Sequence, residues 1–195
     1  GANPFVTSSN TIAAAAAVGT GIAAKSLTTI LGVVKAYSTR VGEGPFPTEE
    51  ISEIGDIICD KGGEFGTVTG RKRRCGWLDL PMLKRAVRLN GIDCIALTKL
   101  DVLSNLDSIK VCTSYDGHKN DFEPVTVNEL ATLKPVYKVF QGWNCSLNVA
   151  SWKEMPIEVK SFVDFLESEL GAVIPLVGIG ASREALVKRC AFTGL

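Results

Sequence analysis

The stretch Pro81-Met-Leu-Lys-Arg-Ala-Val-Arg-Leu-Asn-Gly-Ile-Asp-Cys-Ile-Ala-Leu-Thr-Lys-Leu-Asp101 decides the fold class. Its first half is typical of an amphipathic helix that begins at Pro81 and ends at Asn90-Gly91, with apolar residues on one face (Leu83, Val87, Leu89). The apolar run 92–97 then predicts a short buried strand that leads directly into Thr98-Lys-Leu-Asp101. A helix followed at once by a buried strand indicates an α/β protein.

The rest of the chain alternates in a similar way. Beyond an alanine-rich helical stretch, the pattern predicts helices at 26–34, 53–63 and 157–170, and strands at 33–41, 136–140 and 172–177. A hairpin is predicted from strands 109–114 and 122–127 around the turn 115–120. We therefore expect an α/β fold with a mixed, mostly parallel sheet, flanking helices and a β-hairpin.

Length and composition exclude several classes of protein. The 195 residues suit a single domain, and the 46% apolar fraction is too high for a disordered chain. Acidic and basic residues balance at 21 each, which argues against a protein that coats nucleic acid. The sequence contains neither an apolar run long enough to cross a membrane nor a signal-peptide pattern.

The cysteines and the single histidine restrict the possible chemistry. The six cysteines are never closer than 16 residues, so C-x-x-C redox pairs and zinc knuckles are excluded. We expect reduced, mostly buried thiols and a cytosolic protein. His118 lies in the predicted hairpin turn, so histidine-based triads and metal sites are excluded for this chain acting alone.

One segment resembles a phosphate-binding loop only superficially. Gly19-Thr-Gly-Ile-Ala-Ala-Lys-Ser26 nearly matches G-x-x-x-x-G-K-S, but Ala24 replaces the second glycine and an alanine run replaces the preceding strand. We do not expect phosphate to bind there.

Two other segments follow predicted strands, and the first of them fits a guanine site. Asp101 follows a predicted strand, where ligands of α/β sheets gather, and one carboxylate can accept both hydrogen bonds that the ring N–H and amine of guanine offer. The stem of Lys99 would lie along the base. Gly178-Ile-Gly180 follows the last strand and would let the backbone approach a ligand. A solvated loop and an ordinary turn remain the alternatives.

The basic stretch Thr67-Val-Thr-Gly-Arg-Lys-Arg-Arg74 fits a small anion. Four consecutive cations follow a Thr/Gly turn, and arginine binds carboxylate and phosphate bidentately. A substrate with two carboxylates would use two arginines. A solvated charged face and an RNA-binding patch are the alternatives, and the zero net charge disfavours RNA.

Several motifs together resemble the C-terminal half of adenylosuccinate synthetase. They occur in the order and spacing of that family and extend over nearly the whole chain: Val6-Thr-Ser-Ser-Asn10, Val33-Val-Lys-Ala-Tyr-Ser-Thr-Arg-Val-Gly42, Gly44-Pro-Phe-Pro-Thr-Glu49, Thr69-Gly-Arg-Lys-Arg-Arg-Cys-Gly-Trp-Leu-Asp79, Leu97-Thr-Lys-Leu-Asp101, Gly142-Trp143 and Gly178-Ile-Gly-Ala-Ser-Arg183. The resemblance implies part of a P-loop-NTPase-like fold. It also implies a cytoplasmic, homodimeric ligase that uses GTP and Mg²⁺ to join L-aspartate to inosine monophosphate (IMP) through a 6-phosphoryl-IMP intermediate.

The resemblance also assigns roles to individual residues. Those expected to contact IMP are Thr7, Val41 and Arg71. Those expected to form the aspartate loop are Thr67, Val68, Thr69, Gly70, Arg71, Lys72 and Arg73. Those expected to contact GTP are Arg73, Lys99, Leu100, Asp101, Gly178, Ile179 and Gly180.

The chain departs from the family pattern in two respects. Val68 replaces a threonine that is common in the aspartate loop, which removes one hydroxyl. The family's N-terminal half is absent, and with it the phosphate loop, the catalytic aspartate and histidine, and most magnesium contacts. We therefore expect residues 1–195 to be the C-terminal part of one synthetase domain, without catalytic or metal-binding residues of its own and inactive alone. A stand-alone guanine-nucleotide-binding or regulatory module is the alternative.

Overall fold

A computed structural model describes residues 12–118 and 126–191. Its helices are α1 (Ala14–Thr20), α2 (Glu53–Gly62), α3 (Leu80–Asn90), α4 (Val127–Thr132) and α5 (Ile157–Leu170). Its strands are β1 (Leu31–Lys35), β2 (Ser38–Arg40), β3 (Arg74–Gly76), β4 (Leu78–Asp79), β5 (Cys94–Thr98), β6 (Ser108–Tyr115), β7 (Pro135–Gln141), β8 (Val173–Gly178) and β9 (Leu186–Lys188). None of the described helices is long and apolar enough to cross a membrane.

The predicted strand after Asn90-Gly91 is the centre of the main sheet. Strand order is β1-β5-β8-β9, with β5 parallel to both β1 and β8, and β9 antiparallel to β8. Lys35 is level with Thr98, and Leu97 is level with Val177. Because parallel strands end at the same edge of a sheet, the segments that follow β1, β5 and β8 lie side by side.

Two helices match the sequence prediction closely. The side chain of Asp79 accepts a hydrogen bond from the Met82 N–H at 3.0 Å and caps α3, whose second residue is Pro81. Gly91 ends α3 in the left-handed region, with φ of 59°. Helix α5 ends similarly at Gly171 and buries the apolar face that the sequence predicts (Val159, Phe162, Val163, Leu166, Leu170).

The mixed α/β class is confirmed, but the strands form three sheets. Besides the main sheet, β2 pairs with β3 in an antiparallel ribbon. In the third sheet β6 lies between β4, which is parallel to it, and β7, which is antiparallel. The main sheet and the third sheet each combine parallel with antiparallel pairs, and only the β2–β3 ribbon is purely antiparallel.

The predicted partner of β6 was wrong. Strand β6 pairs with β7, from Ser108 opposite Gln141 to Tyr115 opposite Pro135. Val127 begins a helix, because Thr126 and Glu129 form a capping box at its start. The rest of the predicted strand, 122–125, lies outside the described residues. His118 is exposed, and its N–H donates to the Tyr115 carbonyl at 3.0 Å, as expected for a turn.

The predicted helix at 26–34 was also wrong. Ser26 ends a short 3₁₀ turn, and β1 begins at Leu31. A Cβ at Gly32 would lie 2.8 Å from Cδ1 of Ile92, so the missing side chain allows this close packing. The predicted strand 33–41 is split into β1 and β2 at the buried pair Ala36-Tyr37.

The region that resembled a phosphate loop does not have the geometry of one. Helix α1 ends in a left-handed turn at Gly21, and a 3₁₀ turn (Ala24–Ser26) follows. A phosphate loop joins a strand to a helix, whereas here a helix precedes the turn.

The cysteines fit the prediction of buried thiols. All six lie within the described residues and are free, and four are buried: Cys59, Cys75, Cys94 and Cys112. Burial raises the pKa of the Cys112 thiol to about 12, which keeps it protonated and unreactive.

Candidate functional site

The two segments predicted to hold guanine meet at one edge of the main sheet. Lys99 follows β5 in the left-handed region, with φ of 64°, and turns the chain into a 3₁₀ helix (Leu100–Leu103). Gly178 ends the neighbouring strand β8, and a Cβ on it would lie 3.3 Å from the Cα of Thr98. The structure thus brings Lys99-Leu-Asp101 beside Gly178-Ile-Gly180.

Asp101 has a carboxylate oxygen available for a ligand. Its Oδ1 is buried and has no hydrogen-bond partner among the described residues. Buried polar atoms are nearly always paired in folded proteins, so such an atom calls for a donor from elsewhere. Leu100 and Ile179 are buried as core residues, so they can reach a ligand only through their backbone.

The ammonium group of Lys99 is held on the side of the aspartate loop. Its Nζ donates a hydrogen bond to the Gly62 carbonyl at 2.5 Å and lies 3.3 Å from Oε1 of Glu64. Gly62 ends α2, and Glu64 lies between that helix and the loop. The guanine segment therefore contacts the stretch of chain that leads into the aspartate loop.

The segment predicted to form the aspartate loop is exposed at residues 67–72. Its base closes with an isolated bridge between Phe65 and Lys72, and Gly70 turns it with φ of 64°. The residues at its tip are exposed, and Val68 is 97% exposed. At the tip, the Thr69 hydroxyl accepts a hydrogen bond from the Arg71 N–H at 3.3 Å. The tip can therefore meet a ligand with backbone amides, hydroxyls and cations together.

The four consecutive cations at positions 71–74 pair with four different carboxylates. Arg71 contacts Glu43 at 3.0 Å, and Lys72 contacts Asp56 at 2.5 Å, both at exposed positions. Arg73 contacts Glu64 at 2.9 Å. Arg74 binds Glu49 and also donates to the Gly42 and Gly44 carbonyls at 3.0 and 2.7 Å. These cations do not form one open basic patch, which disfavours an RNA-binding surface.

Arg74 links the base of the loop to the segment that contains Val41. Val41 follows β2, whose last residue, Arg40, is level with Arg74. The Val41 side chain is 61% exposed, and the neighbouring Glu43 contacts Arg71. Val41 and Arg71, two of the predicted IMP residues, therefore lie on connected segments. The third, Thr7, lies outside the described residues.

Glu64 is a central residue of the site that sequence reasoning missed. Its side chain is 1% exposed and receives Lys35 Nζ and Tyr37 Oη on Oε1, each at 2.7 Å, and Arg73 on Oε2. Burial acts to raise the pKa of Glu64, but hydrogen bonds from Lys35, Tyr37 and Arg73 outweigh it and lower the pKa to about 2. Burial and the bond to Glu64 raise the pKa of Tyr37.

The described residues do not offer a metal site. They contain no group of three or more His, Cys, Asp or Glu side chains placed to hold a metal ion. The carboxylates of the loop region are instead engaged with lysine and arginine.

Comparison with known proteins identifies the family. The adenylosuccinate synthetase family model matches residues 1–187. The adenylosuccinate synthetases of Gloeothece citriformis and Trichodesmium erythraeum are 48% and 47% identical over 190 residues, 96% of this chain but 42% and 44% of theirs. The structure of a fully ligated adenylosuccinate synthetase from Plasmodium falciparum superimposes with a TM-score of 0.93 at 38% identity, over 97% of this chain and 46% of that one. This chain, which spans less than half the length of these relatives, belongs to the adenylosuccinate synthetase family.

Proposed function

We propose that this chain is the C-terminal part of an adenylosuccinate synthetase, in which it holds guanine and L-aspartate. The whole enzyme joins L-aspartate to IMP with GTP and forms adenylosuccinate, GDP and phosphate. The observation that supports the guanine role best is the buried, unpartnered Oδ1 of Asp101 beside Gly178. One carboxylate accepts the ring N–H and the amine of guanine, whereas adenine presents no such pair of donors.

The aspartate loop supplies the second part of the function. Thr67, Thr69, Gly70, Arg71 and Lys72 lie in its exposed segment, where hydroxyls, amides and cations can surround a substrate with two carboxylates. Arg71 is 64% exposed and is free to exchange Glu43 for a substrate anion at small cost, because an exposed ion pair contributes little stability. Holding both substrates in fixed positions contributes to the rate mainly by orienting them.

Further residues complete the proposed substrate contacts. Thr7 contacts the phosphate of IMP, Val41 lies near its ribose, and Arg71 reaches IMP as well as aspartate. Arg73 and Lys99 extend toward GTP from the loop and the sheet edge. The backbone of Leu100, Ile179 and Gly180 lines the guanine side.

The chemical step depends on groups outside this chain. Mg²⁺ neutralises phosphate charge in such transfers, and we propose that it is bound mainly by the N-terminal half of the enzyme, because the described residues contain no group of three or more metal-ligating side chains. We further propose a cytoplasmic homodimer, as the family resemblance implies.

The intact mass of the native protein is the first test. Immunocapture from the source with an antibody against this chain should yield a protein well above 20.8 kDa. A native mass of 20.8 kDa without a co-purifying N-terminal partner would refute the enzyme and favour a stand-alone guanine-binding module.

The captured protein should then form adenylosuccinate only when IMP, L-aspartate, GTP and Mg²⁺ are all present. Omitting one component at a time is the control, and ATP should not replace GTP. A rate of GTP hydrolysis that is the same with and without IMP and L-aspartate would contradict the proposed reaction.

A further inference from the structure

The Glu64 carboxylate joins two parts of the proposed site that are far apart in sequence. Arg73 belongs to the aspartate loop and Lys99 to the guanine segment, and both point at this one buried side chain. Their distances to its oxygens are 2.9 and 3.3 Å. In this position Glu64 restricts the direction in which each cation extends.

Glu64 itself is also held by two residues near the end of β1. Lys35, at the end of β1, and Tyr37, just after it, both donate to Oε1 at 2.7 Å. Arg73 binds the other oxygen, Oε2. Lys99 shares Oε1 with Lys35 and Tyr37, whereas Arg73 has Oε2 to itself, so the carboxylate contacts all four residues at once.

The surroundings of Glu64 carry excess positive charge. Lys35, Arg73 and Lys99 face a single carboxylate, and each remains about one-third exposed, at 30%, 32% and 35%. The carboxylate balances one of these three charges, so the cluster still attracts an anion. The part of each cation that remains exposed is available to a substrate.

We propose that Glu64 is a positioning residue that orients Arg73 and Lys99 together, so that the aspartate loop and the guanine site reach their binding geometry as one unit. This inference rests on the proposed function, because Arg73 and Lys99 are its substrate-contacting residues. Glu64 itself makes no substrate contact: its side chain is buried and both oxygens are occupied.

The test is Glu64→Gln in the full-length protein that contains this chain. Glutamine keeps the shape but loses the charge, and a charge-assisted hydrogen bond is about twice as strong as a neutral one. We expect the KM values for GTP and for L-aspartate to rise together, each by roughly tenfold, which corresponds to the loss of about one such bond. Glu64→Asp, which keeps the charge on a shorter side chain, should restore part of both values.

Glu167→Gln is the matched control. Glu167 pairs with Arg189 at 2.7 Å in a part of the protein to which we assign no substrate role. The control should lower the unfolding temperature without changing either KM. A general loss of stability would move the unfolding temperature in both variants, but it would not raise two KM values in one variant alone.

A second variant covers the case in which Glu64→Gln does not fold. Tyr37→Phe removes one hydrogen bond to Oε1 but leaves the ion pairs in place. It should shift both KM values in the same direction, by a few-fold.

The outcomes separate the two proposals. If the wild-type protein uses neither GTP nor L-aspartate, the proposed function is refuted, and this inference with it. If the wild type uses both, the inference alone is refuted by any one of three results. These are a Glu64→Gln protein in which only one KM rises or neither does, a Tyr37→Phe protein with both unchanged, or a Glu167→Gln control with the same rise.

Discussion

Replacing Asp101 with asparagine tests the guanine assignment directly. The Oδ1 of Asp101 is buried and has no hydrogen-bond partner among the described residues, so the native fold does not depend on that atom. Asparagine has nearly the same shape, but one of its two terminal groups donates instead of accepting. Against guanine, which presents two donors, one hydrogen bond is lost and a donor faces a donor.

The expected loss follows from the bonds involved. A hydrogen bond to a charged group contributes about 1.5–3 kcal/mol, and the remaining bond weakens because the carboxylate charge is gone. A total of about 3 kcal/mol corresponds to roughly a hundredfold weaker binding of GTP. Inosine triphosphate lacks the amine and offers a single donor, so it should lose much less.

The assay compares kcat/KM for GTP and for inosine triphosphate in the wild-type and Asp101→Asn full-length proteins. The wild type should prefer GTP, and the variant should lose most of that preference while keeping its unfolding temperature. Asp164→Asn, a change at a 60% exposed aspartate, serves as a control that should preserve the preference. An unchanged preference for GTP in the Asp101 variant would refute the guanine assignment.

Four further predictions concern the loop, the buried acid and the core. Arg71→Leu should raise the KM for L-aspartate and for IMP but spare binding of a fluorescent GTP analogue, because we assign Arg71 no contact with GTP. The fold should tolerate the change, since the ion pair with Glu43 is exposed, and equal loss of all three would contradict the placement of Arg71. Val68→Thr should lower the KM for L-aspartate by adding a hydroxyl at an exposed position, and an unchanged value would mean that Thr67 already makes that contact. The folded-state pKa of Glu64 is lowered from 4.5 to about 2, so its stabilising effect is complete above 4.5 and is lost as the pH falls toward 2; urea unfolding at several pH values should show this decline, and Glu64→Gln should remove that part of it. Leu166→Ala should lower the free energy of unfolding by about 2–5 kcal/mol, because the side chain is fully buried. A decrease of less than about 1 kcal/mol in urea unfolding would contradict that packing.

Local signals in the sequence predicted helices α2, α3 and α5 and the central strand β5. Helix α3 was predictable because its proline, its apolar face and its Gly91 end all lie within one short stretch. Strand β5 was predictable because it is apolar throughout, and Asp101 follows it directly along the chain. These features depend on neighbours in sequence, which is the range that pattern reasoning covers.

Only the tertiary structure decided which strands pair. Strand β6 pairs with β7, and the capping box at Thr126 begins a helix at Val127–Thr132, part of which had been predicted to be the partner strand. Likewise, Leu31–Lys35 becomes a strand because it lies beside β5, where a glycine admits Ile92. Pairing between distant segments is set by packing, and a local pattern contains little of that information.

The sequence by itself determined the residue types of the candidate site: a carboxylate after a strand, a glycine pair and a run of cations beside a Thr/Gly turn. The tertiary structure decided that Arg73 from the run of cations and Lys99 beside Asp101 meet at Glu64. A buried carboxylate needs several donors at once, and its donors here come from positions 35, 37, 73 and 99. No stretch of sequence brings those positions together, so only the folded chain shows that one acid contacts both Arg73 and Lys99.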